Sequence, residues 1–447
     1  MVKLYNFLSK NTEDFKPIEH GEVGMYTCGP TVYDFVHIGN WRTFIFEDVL
    51  KRVLKFNSYK VKHVMNITDI DDKIIKRAQT ESKEISAVTN QFEKAFREDL
   101  KKLNIEVADM YPHATEYIPK MVDYIQKLID KGFAYKEKDG SVYFDISKFP
   151  NYGKLSGVAG RQLKTGTRTL SDEYTKEDVQ DFALWKSVSK GELGGFESKL
   201  GYGRPGWHIE CSVMSQDSLG DTFDIHTGGI DLLFPHHENE IAQSQALYGD
   251  ASFAQVWMEG EHLLVDGKKM SKSLGDFYKL SDIVEKGFDP LALRYLFLTA
   301  HYRSKLNFTW ESLEGAHNAL NKLREHIESW DEPKIGCAEF EEDFNQAVNN
   351  DLDMPKGLSV MWEMVKSDYP SSAKHQSVLK MDAVLGLGLN EVTKPELSKE
   401  VMELIEKRED VRKAGNYDES DKLRRELLAM GVEVEDTPQG PKWKVKK

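Results

Sequence analysis

The stretch PTVYDFVHIGN, Pro30–Asn40, lies between a predicted strand and a predicted helix, and this junction decides the fold. Before it, EVGMYTC (Glu22–Cys28) alternates apolar and polar side chains, and a Gly-Pro pair ends the strand. After it, apolar residues recur at helical spacings over Phe44–Leu54, and Tyr59–Thr68 is a second strand candidate. This order predicts a βαβ unit in a parallel sheet, whose ligands bind beyond the carboxyl ends of the strands.

The HIGN loop falls at this edge of the predicted sheet, together with Cys28 and Thr68. Because Gly39 has no side chain, an adenine ring or a phosphate can approach the backbone, and a helix N-terminus favours anionic oxygens. The imidazole of His37 can donate hydrogen bonds to phosphoryl oxygens as negative charge develops on them. Taken alone, HIGN is equally typical of a turn histidine at the start of a helix.

A second motif, KMSKS at Lys269–Ser273, lies far along the chain. Lys269 and Lys272 flank Ser271, and an Asp-Gly pair before them is a turn signal. Two ammonium groups on such a loop can close on a triphosphate and stabilise departing pyrophosphate. For any single Lys- and Ser-rich run, a solvated loop is the simpler interpretation.

Two other nucleotide-binding motifs are disfavoured. The Walker pattern GxxxxGK[ST] is absent, which argues against an ordinary P-loop ATPase. Gly201–Gly206 fits GxGxxG, but the segment before it is too polar for a buried strand, and Pro205 falls inside the supposed phosphate turn. We therefore do not predict a nicotinamide site.

Four side chains suited to a metal ion are spread over the chain: Cys28, Cys211, His236 and Glu240. The i, i+4 spacing of His236 and Glu240 places both on one face of a helix, whose first turn we predict to contain Pro235. The four form a candidate Cys₂-His-Glu zinc set, while His237 and Glu238 are predicted to point elsewhere. No CxxC pair is present, so by spacing alone they can equally be core residues.

Longer blocks around these motifs closely resemble the cysteinyl-tRNA synthetases, a family of class I aminoacyl-tRNA synthetases. The blocks occur in the family's order and extend the match along the whole chain: Thr27–Asn40, Asn66–Ala78, Gly203–Met214, Phe223–Ser244, Lys269–Phe277, His301–Phe308 and Gly431–Trp443. One position departs from the family pattern, because Asn40 stands where the usual HIGH motif ends in histidine.

The resemblance implies an α/β fold: a Rossmann-like, doubly wound parallel sheet with a connective insertion, followed by an α-helical C-terminal region that binds tRNA. It implies ATP-dependent ligation of L-cysteine to tRNA(Cys) through a cysteinyl-adenylate, with Mg²⁺ accompanying ATP. It also implies one zinc ion per chain, held by Cys28, Cys211, His236 and Glu240.

The same resemblance implies roles for further residues. Those around the amino acid are Thr68, Trp207 and His226. Those with catalytic roles are His37, Lys269 and Lys272. Those in contact with ATP are His37, Gly39, Asn40, Gly228, Gly229, Asp231 and Lys272.

Composition shifts and helical patterns predict five segments, whose roles the resemblance implies. They are a first catalytic half at 1–120, the insertion at 121–202, a second catalytic half with KMSKS at 203–312, a helical bundle at 313–390 and an anticodon-recognition domain at 391–447.

Composition indicates a cytoplasmic protein without a membrane anchor. There is no signal-like apolar start and no apolar run long enough to span a bilayer, and only three cysteines occur. The net charge is −14, from 60 basic and 74 acidic residues, which by itself argues against a nucleic-acid partner. However, the last two predicted helices and the tail around Trp443 are rich in Lys and Arg, which fits phosphate contacts and base stacking. Interleaved acidic residues leave a solvated helix pair as the alternative, and we expect a monomer.

Two other functions are compatible with parts of the sequence. One is a ligase that transfers activated cysteine to a small amino sugar; the other is a catalytically silent zinc- or tRNA-binding protein. The family's C-terminal block at Gly431–Trp443 argues against the first, and intact His37, Lys269 and Lys272 argue against the second. The KIIK run Lys73–Lys76 resembles the run that some family members use in a pyridoxal-phosphate-dependent persulfide reaction, but it is also an ordinary charged helix surface.

Overall fold

A computed structural model describes residues 1–158, 167–173, 175–176, 179–250, 253–270, 277–393, 397–437 and 440–445. The chain divides into two compact units, the first comprising 1–323 with 331–389 and the second 324–330 with 390–447. The predicted five-segment division stays a prediction. No helix within the described ranges is both long and apolar enough to cross a membrane.

The chain begins with two short strands, β1 (Lys3–Asn6) and β2 (Asn11–Asp14). The predicted βαβ unit follows and consists of β3 (Glu22–Thr27), α1 (Ile38–Phe56) and β4 (Lys60–Met65). β1 and β2 form an antiparallel pair, whereas β3 and β4 are parallel neighbours, as predicted. The side chain of His37 caps α1, because its Nδ1 accepts a hydrogen bond from the backbone N–H of Asn40 at 3.3 Å.

Three helices then lie between residues 72 and 130, and a separate small sheet follows. The helices are α2 (Asp72–Glu81), α3 (Ile85–Lys102) and α4 (Ile118–Asp130). The small sheet contains β5 (Ala134–Lys136), β6 (Val142–Phe144), β7 (Arg168–Thr169), β8 (Asp181–Ser187) and β9 (Gly203–Pro205). The GxGxxG segment therefore contains a strand that pairs antiparallel with β8, not a phosphate turn after a parallel strand.

The chain next returns to the central sheet. The elements are α5 (Trp207–Leu219), β10 (Thr222–Gly229), α6 (Glu238–Tyr248) and β11 (Phe253–Gly260). The central sheet has the order β11-β10-β3-β4, and every pair in it is parallel. Its strand interiors are fully buried, including Met25, Tyr26, Val64 and Ile225. The predicted α/β class is confirmed.

Small strands and helices complete the first unit. They are β12 (Leu263–Val265), β13 (Lys268–Lys269), α7 (Leu280–Glu285), α8 (Pro290–Leu298), β14 (Leu306–Phe308), α9 (Trp310–Ser329), α10 (Ala338–Asn349), α11 (Met354–Lys366) and α12 (Ser371–Leu385). α9 extends beyond this unit, because its last residues belong to the second. Arg294 on α8 is fully buried and donates to Asp48 Oδ2 on α1 at 2.6 Å and to the carbonyl of Leu385 at 2.7 Å. Arg294 therefore connects α1, the helix that His37 caps, to the end of α12.

The second unit contains the predicted final helix pair. Its C-terminal elements are α13 (Lys399–Lys413), α14 (Tyr417–Ala429), β15 (Val432–Thr437) and β16 (Gly440–Val445). Trp443 is partly buried and packs on the small core around Val401 and Ile405, so its ring contributes to this core, which the sequence did not predict. Arg408 makes two contacts to the Asp436 carboxylate, which neutralises one of the basic side chains counted toward phosphate binding.

Candidate functional site

A cluster of buried metal-binding side chains lies at the carboxyl ends of β3 and β10. Cys28 directly follows β3, and its N–H donates to the carbonyl of Thr227 in β10 at 3.2 Å. Cys211 comes from α5, and Glu240 from the first turn of α6. One ligand atom from each of Cys28, Cys211, His236 and Glu240 lies within 4.8 Å of all the others. The fold therefore brings together the predicted Cys₂-His-Glu set.

The individual distances fit ligands that surround a common point. Cys28 Sγ lies 3.9 Å from Cys211 Sγ and 4.0 Å from Glu240 Oε1. His236 Nε2 lies 3.1 Å from Glu240 Oε1, yet this buried nitrogen has no partner in hydrogen-bond geometry among the described residues. An orphaned nitrogen beside a carboxylate and two sulfurs is the donor set that zinc prefers.

The electrostatics of the cluster also favour a cation. Burial, and then the Cys211 thiol, raises the pKa of Glu240 to about 8. Burial also raises the pKa of the Cys28 thiol well above its ordinary value. Burial therefore favours the protonated, neutral forms of Glu240 and Cys28. A divalent cation bound between them would reverse this preference and favour the carboxylate and the thiolate.

The prediction for His237 is wrong. Its Nε2 lies 3.4 Å from Cys28 Sγ, and a second set of candidate ligands consists of Cys28, His226, His237 and Glu240. The reason is local geometry, because α6 begins only at Glu238 and a short π-helical turn, Leu233–His237, precedes it. Regular helical spacing does not apply in this turn, so both neighbouring histidines reach the cluster. Pro235 likewise lies before α6 and not in its first turn.

Glu238 points away from the metal cluster, as predicted, and binds backbone N–H groups of residues 153–156. Its Oε1 accepts from the N–H of Gly153 at 2.7 Å, and its Oε2 accepts from the N–H of Ser156 at 2.8 Å. The adjacent Asn239 accepts a hydrogen bond from the hydroxyl of Tyr152. Residues 152–156 are thus attached to the start of α6, directly after the turn that carries His236.

A second group of buried side chains lies within hydrogen-bond distance of the candidate ligands and of His237. The sequence predicts only His226 among them. Glu259 Oε1 lies 2.7 Å from His237 Nδ1, and His226 Nε2 lies 2.9 Å from Glu240 Oε2. His208 Nδ1 lies 3.0 Å from His236 Nδ1. No sequence spacing links these residues to the ligands, since the partners lie on different strands and helices.

A cavity of about 240 Å³ opens in front of the cluster. Among its lining residues are three metal-ligand candidates, Cys28, Cys211 and His236. The predicted nucleotide residues on its wall are His37, Asn40, Gly229 and Asp231. One open cavity therefore joins the candidate metal site to the HIGN loop.

The two signature motifs meet beside this cavity. The N–H of Ile38 donates to the carbonyl of Tyr278 at 2.9 Å, and the His37 ring packs against Phe277 with centroids 4.2 Å apart. A methyl group added to Gly39 would collide with the end of the Met270 side chain, so the glycine allows this close approach. Lys269 ends β13, whereas Lys272 lies outside the described residues.

The three residues predicted to surround the amino acid have different environments. Trp207 lines the cavity, and its ring centroid lies 4.2 Å from that of His236. Thr68 is buried and donates to Glu210 Oε2 at 2.8 Å. His226 is buried behind Glu240 and stacks on Trp257 with centroids 4.5 Å apart. Of the three, only Trp207 is on the cavity wall.

Comparison with known proteins gives the family. Residues 14–318 match the family model for the class I (C) tRNA synthetase catalytic domain, and residues 394–443 match the cysteinyl-tRNA ligase anticodon binding domain. The cysteine–tRNA ligase of Leptospira interrogans is 45% identical, with 100% of this chain and 99% of that protein aligned. The cysteine–tRNA ligase of Chlamydia pneumoniae is 46% identical, with 98% and 97% aligned.

Solved structures support the fold alone. Methionyl-tRNA synthetase of Mycobacterium tuberculosis bound by methionyl-adenylate superimposes with a TM-score of 0.62 at 12% identity, covering 83% of this chain and 93% of that one. A leucyl synthetase complex from Agrobacterium radiobacter gives 0.61 at 11% identity, covering 85% of each chain. Because the two family models match residues 14–318 and 394–443, and full-length relatives are about 45% identical, the chain belongs to the cysteine–tRNA ligase family of class I aminoacyl-tRNA synthetases.

Proposed function

We propose that this chain joins L-cysteine to tRNA(Cys) at the expense of ATP, and that zinc held by Cys28, Cys211, His236 and Glu240 selects the amino acid. The observation that carries this proposal is the shared cavity. Three of the four candidate ligands line it, and so does His37 of the HIGN motif. An amino acid bound at the ligands would thus extend toward the nucleotide loop.

The proposed selectivity has a simple chemical basis. When bound, zinc supplies a soft cation that prefers a thiolate to a hydroxyl and lowers the pKa of a thiol from its free value of ~8.5. Serine differs from cysteine by one atom but offers only a neutral, harder oxygen. A site of this kind can reach a discrimination of ~10⁴, which an apolar pocket cannot provide for a single-atom change.

The chain's own residues would position the substrate and exclude water. The Trp207 ring lies against His236 at the cavity wall, so it can cover one side of a side chain that reaches the ligands. Glu240 lies behind this wall, held by His226 at 2.9 Å, and contributes charge without blocking entry.

Adenylation needs positioning and charge stabilisation, and no side-chain nucleophile. The cysteine carboxylate would attack the α-phosphorus of ATP and release pyrophosphate, with Mg²⁺ accompanying the phosphates. We assign His37, Lys269 and Lys272 to stabilise the charge that develops on the phosphates. The proposed nucleotide contacts are His37, Gly39, Asn40, Gly228, Gly229, Asp231 and Lys272.

Transfer would follow at the terminal ribose hydroxyl of tRNA, with release of AMP. The match of residues 394–443 to an anticodon binding domain supports tRNA, and not a small amino sugar, as the acceptor. A monomeric state and a cytoplasmic location stay predictions.

ATP–pyrophosphate exchange tests the proposal. Run with L-cysteine, L-serine and L-alanine, with and without a zinc chelator, it should show exchange with cysteine alone and lose it with the chelator. The matched variants are Cys211→Ser, which should abolish cysteine-dependent exchange, and Cys337→Ser, a buried thiol outside the cluster, which should keep it. Equal exchange with all three amino acids, or full activity of Cys211→Ser, would refute selection through zinc.

A further inference from the structure

His237 lies between two groups that both accept hydrogen bonds. Its Nδ1 is 2.7 Å from Glu259 Oε1, and its Nε2 is 3.4 Å from Cys28 Sγ. All three side chains are buried. Glu259 Oε2 has no hydrogen-bond partner among the described residues, so the carboxyl group is committed to His237.

The backbone around this histidine is shaped to hold its ring. Glu259 in β11 is the register partner of Gly228 in β10, which places the carboxyl group beside the segment 228–231 that contains the predicted nucleotide contacts Gly228, Gly229 and Asp231. A methyl group added to Gly228 would lie 2.8 Å from His237 Cε1 and 3.0 Å from Nε2, too close for the ring to stay. The glycine of a predicted nucleotide motif thus makes room for a side chain of the metal cluster.

The polarity of the two hydrogen bonds follows from the chemistry of their partners. A cysteine sulfur bound to a metal is a thiolate and accepts hydrogen bonds only, so His237 Nε2 must carry the hydrogen. The proton between His237 Nδ1 and Glu259 Oε1 can lie on the nitrogen or on the oxygen, and Nε2 keeps its hydrogen in either case. In both cases the ring donates from Nε2 to Cys28.

We propose that Glu259 and His237 form a positioning pair that directs an N–H···S hydrogen bond onto Cys28, one of the four ligands in the proposed function. The hydrogen bond holds the sulfur in place and withdraws electron density from it. Positioning of the sulfur favours uptake of the metal by the apo-protein, whereas the weaker donor leaves the bound metal more attractive to the substrate thiolate. The inference rests on the proposed function, and it gives roles to two residues outside the four proposed ligands.

Cobalt binding by the full chain tests this pair without relying on activity. Apo-protein is titrated with Co²⁺, without amino acid or ATP, and read by its d–d and thiolate-to-cobalt charge-transfer bands. Groups hydrogen-bonded to metal ligands typically change metal affinity by about 10- to 100-fold, so we expect this loss for His237→Leu and Glu259→Leu. The d–d pattern should persist, and the charge-transfer band should move to longer wavelength because an unbonded thiolate is easier to oxidise.

Conservative variants separate a positioning role from loss of folding. In Glu259→Gln the amide N–H₂ can still donate to His237 Nδ1, and in His237→Gln the amide N–H can replace Nε2–H. Both glutamine variants should therefore keep most of the Co²⁺ affinity that the leucine variants lose. Glu47→Leu is the matched control, because it also removes a buried carboxyl group, one that accepts from Thr227 at 2.9 Å, and it should bind Co²⁺ as the parent chain does.

The possible outcomes discriminate between the inference and the proposed function. If His237→Leu takes up no Co²⁺, as expected for His236→Ala, then His237 is itself a ligand and the positioning role is wrong. If all variants bind as tightly as the parent chain, the inference alone fails. A parent chain that takes up no metal would overturn the proposed function as well.

Discussion

Replacing Asp48 with asparagine removes the only carboxylate that the fully buried Arg294 contacts within the described residues. Asp48 accepts from Arg294 Nη2 at 2.6 Å, from Arg52 Nε at 2.7 Å and from the N–H of Glu106 at 2.8 Å. Asparagine has nearly the same shape but carries no charge. The guanidinium of Arg294 would then stay buried without an anion.

Removing one partner of a buried ion pair typically destabilises a protein by ~3–5 kcal/mol. Arg294 keeps its hydrogen bonds to the carbonyls of Leu385, Leu103 and Asn104. These contacts offset part of the loss, so we expect about 3 kcal/mol, the lower end of that range. Loss of the Asp48 contact would also loosen α1, the helix that His37 caps.

Urea unfolding at pH 7, followed by far-ultraviolet circular dichroism, measures this change in the free energy of unfolding. Glu98→Gln is the control, because Glu98 lies 4.0 Å from Lys94 on the exposed face of α3, and its loss should change stability by at most about 0.5 kcal/mol. A difference below about 1 kcal/mol between Asp48→Asn and the parent chain would refute the ion-pair assignment.

The pH dependence gives the sign of the effect. Burial by itself would raise the pKa of Asp48, but the charges of Arg294 and Arg52 lower it below its ordinary value of 3.8. A group whose pKa is lower in the folded state stabilises the fold above its unfolded value and loses that contribution as the pH falls. The difference between the parent chain and Asp48→Asn should therefore be full at pH 7 and shrink below pH ~4.

Changes at the metal ligands, the nucleotide loop and the insertion give three further expected outcomes. His236→Ala should reduce bound zinc, measured by atomic absorption after dialysis, to a trace, and retention of one ion per chain would contradict the assigned ligand set. Gly39→Ala should slow ATP–pyrophosphate exchange by up to about 100-fold, because the added methyl would lie 3.0 Å from His37 Nδ1 and 3.1 Å from its Cε1 and so shift this ring. Gly315→Ala, at a glycine with open space around it, is its control and should leave exchange unchanged. Glu238→Ala should destabilise the chain by about 1–3 kcal/mol and speed proteolysis within 150–158, since two backbone N–H groups lose their acceptor; equal proteolysis would show that this contact does not hold the insertion.

Local patterns in the sequence were sufficient for the regular elements near the site. Alternation over Glu22–Cys28 and helical spacing over Phe44–Leu54 predicted β3 and α1, and the observed elements differ from these ranges only at their ends. Parallel pairing of β3 with β4 followed from the length of the connection, because two parallel strands need a crossover. Residue types and spacing gave Cys28, Cys211, His236 and Glu240 as a candidate metal set, and the family resemblance implied the same four.

Where the chain departs from regular geometry, the same reasoning failed. The i, i+4 rule assumed a helix through HHENE, but the chain forms a π-helical turn before Glu238, so His237 was misassigned. Composition presented Trp443 as a stacking residue, whereas its place in β16 packs it on Val401 and Ile405. Neither error had a signal in residue type or spacing.

The sequence by itself therefore determined the order of strands and helices, the class I signatures and the four ligand candidates, since each of these is written in short-range pattern or in recognisable blocks. Only the tertiary structure decided which buried side chains lie within hydrogen-bond distance of the candidate ligands. The strand order β11-β10-β3-β4 brings Glu259 within hydrogen-bond distance of His237, and His237 next to Cys28. Such contacts depend on which strands become neighbours, and a hydrogen bond between distant segments leaves no periodicity in the chain that forms it.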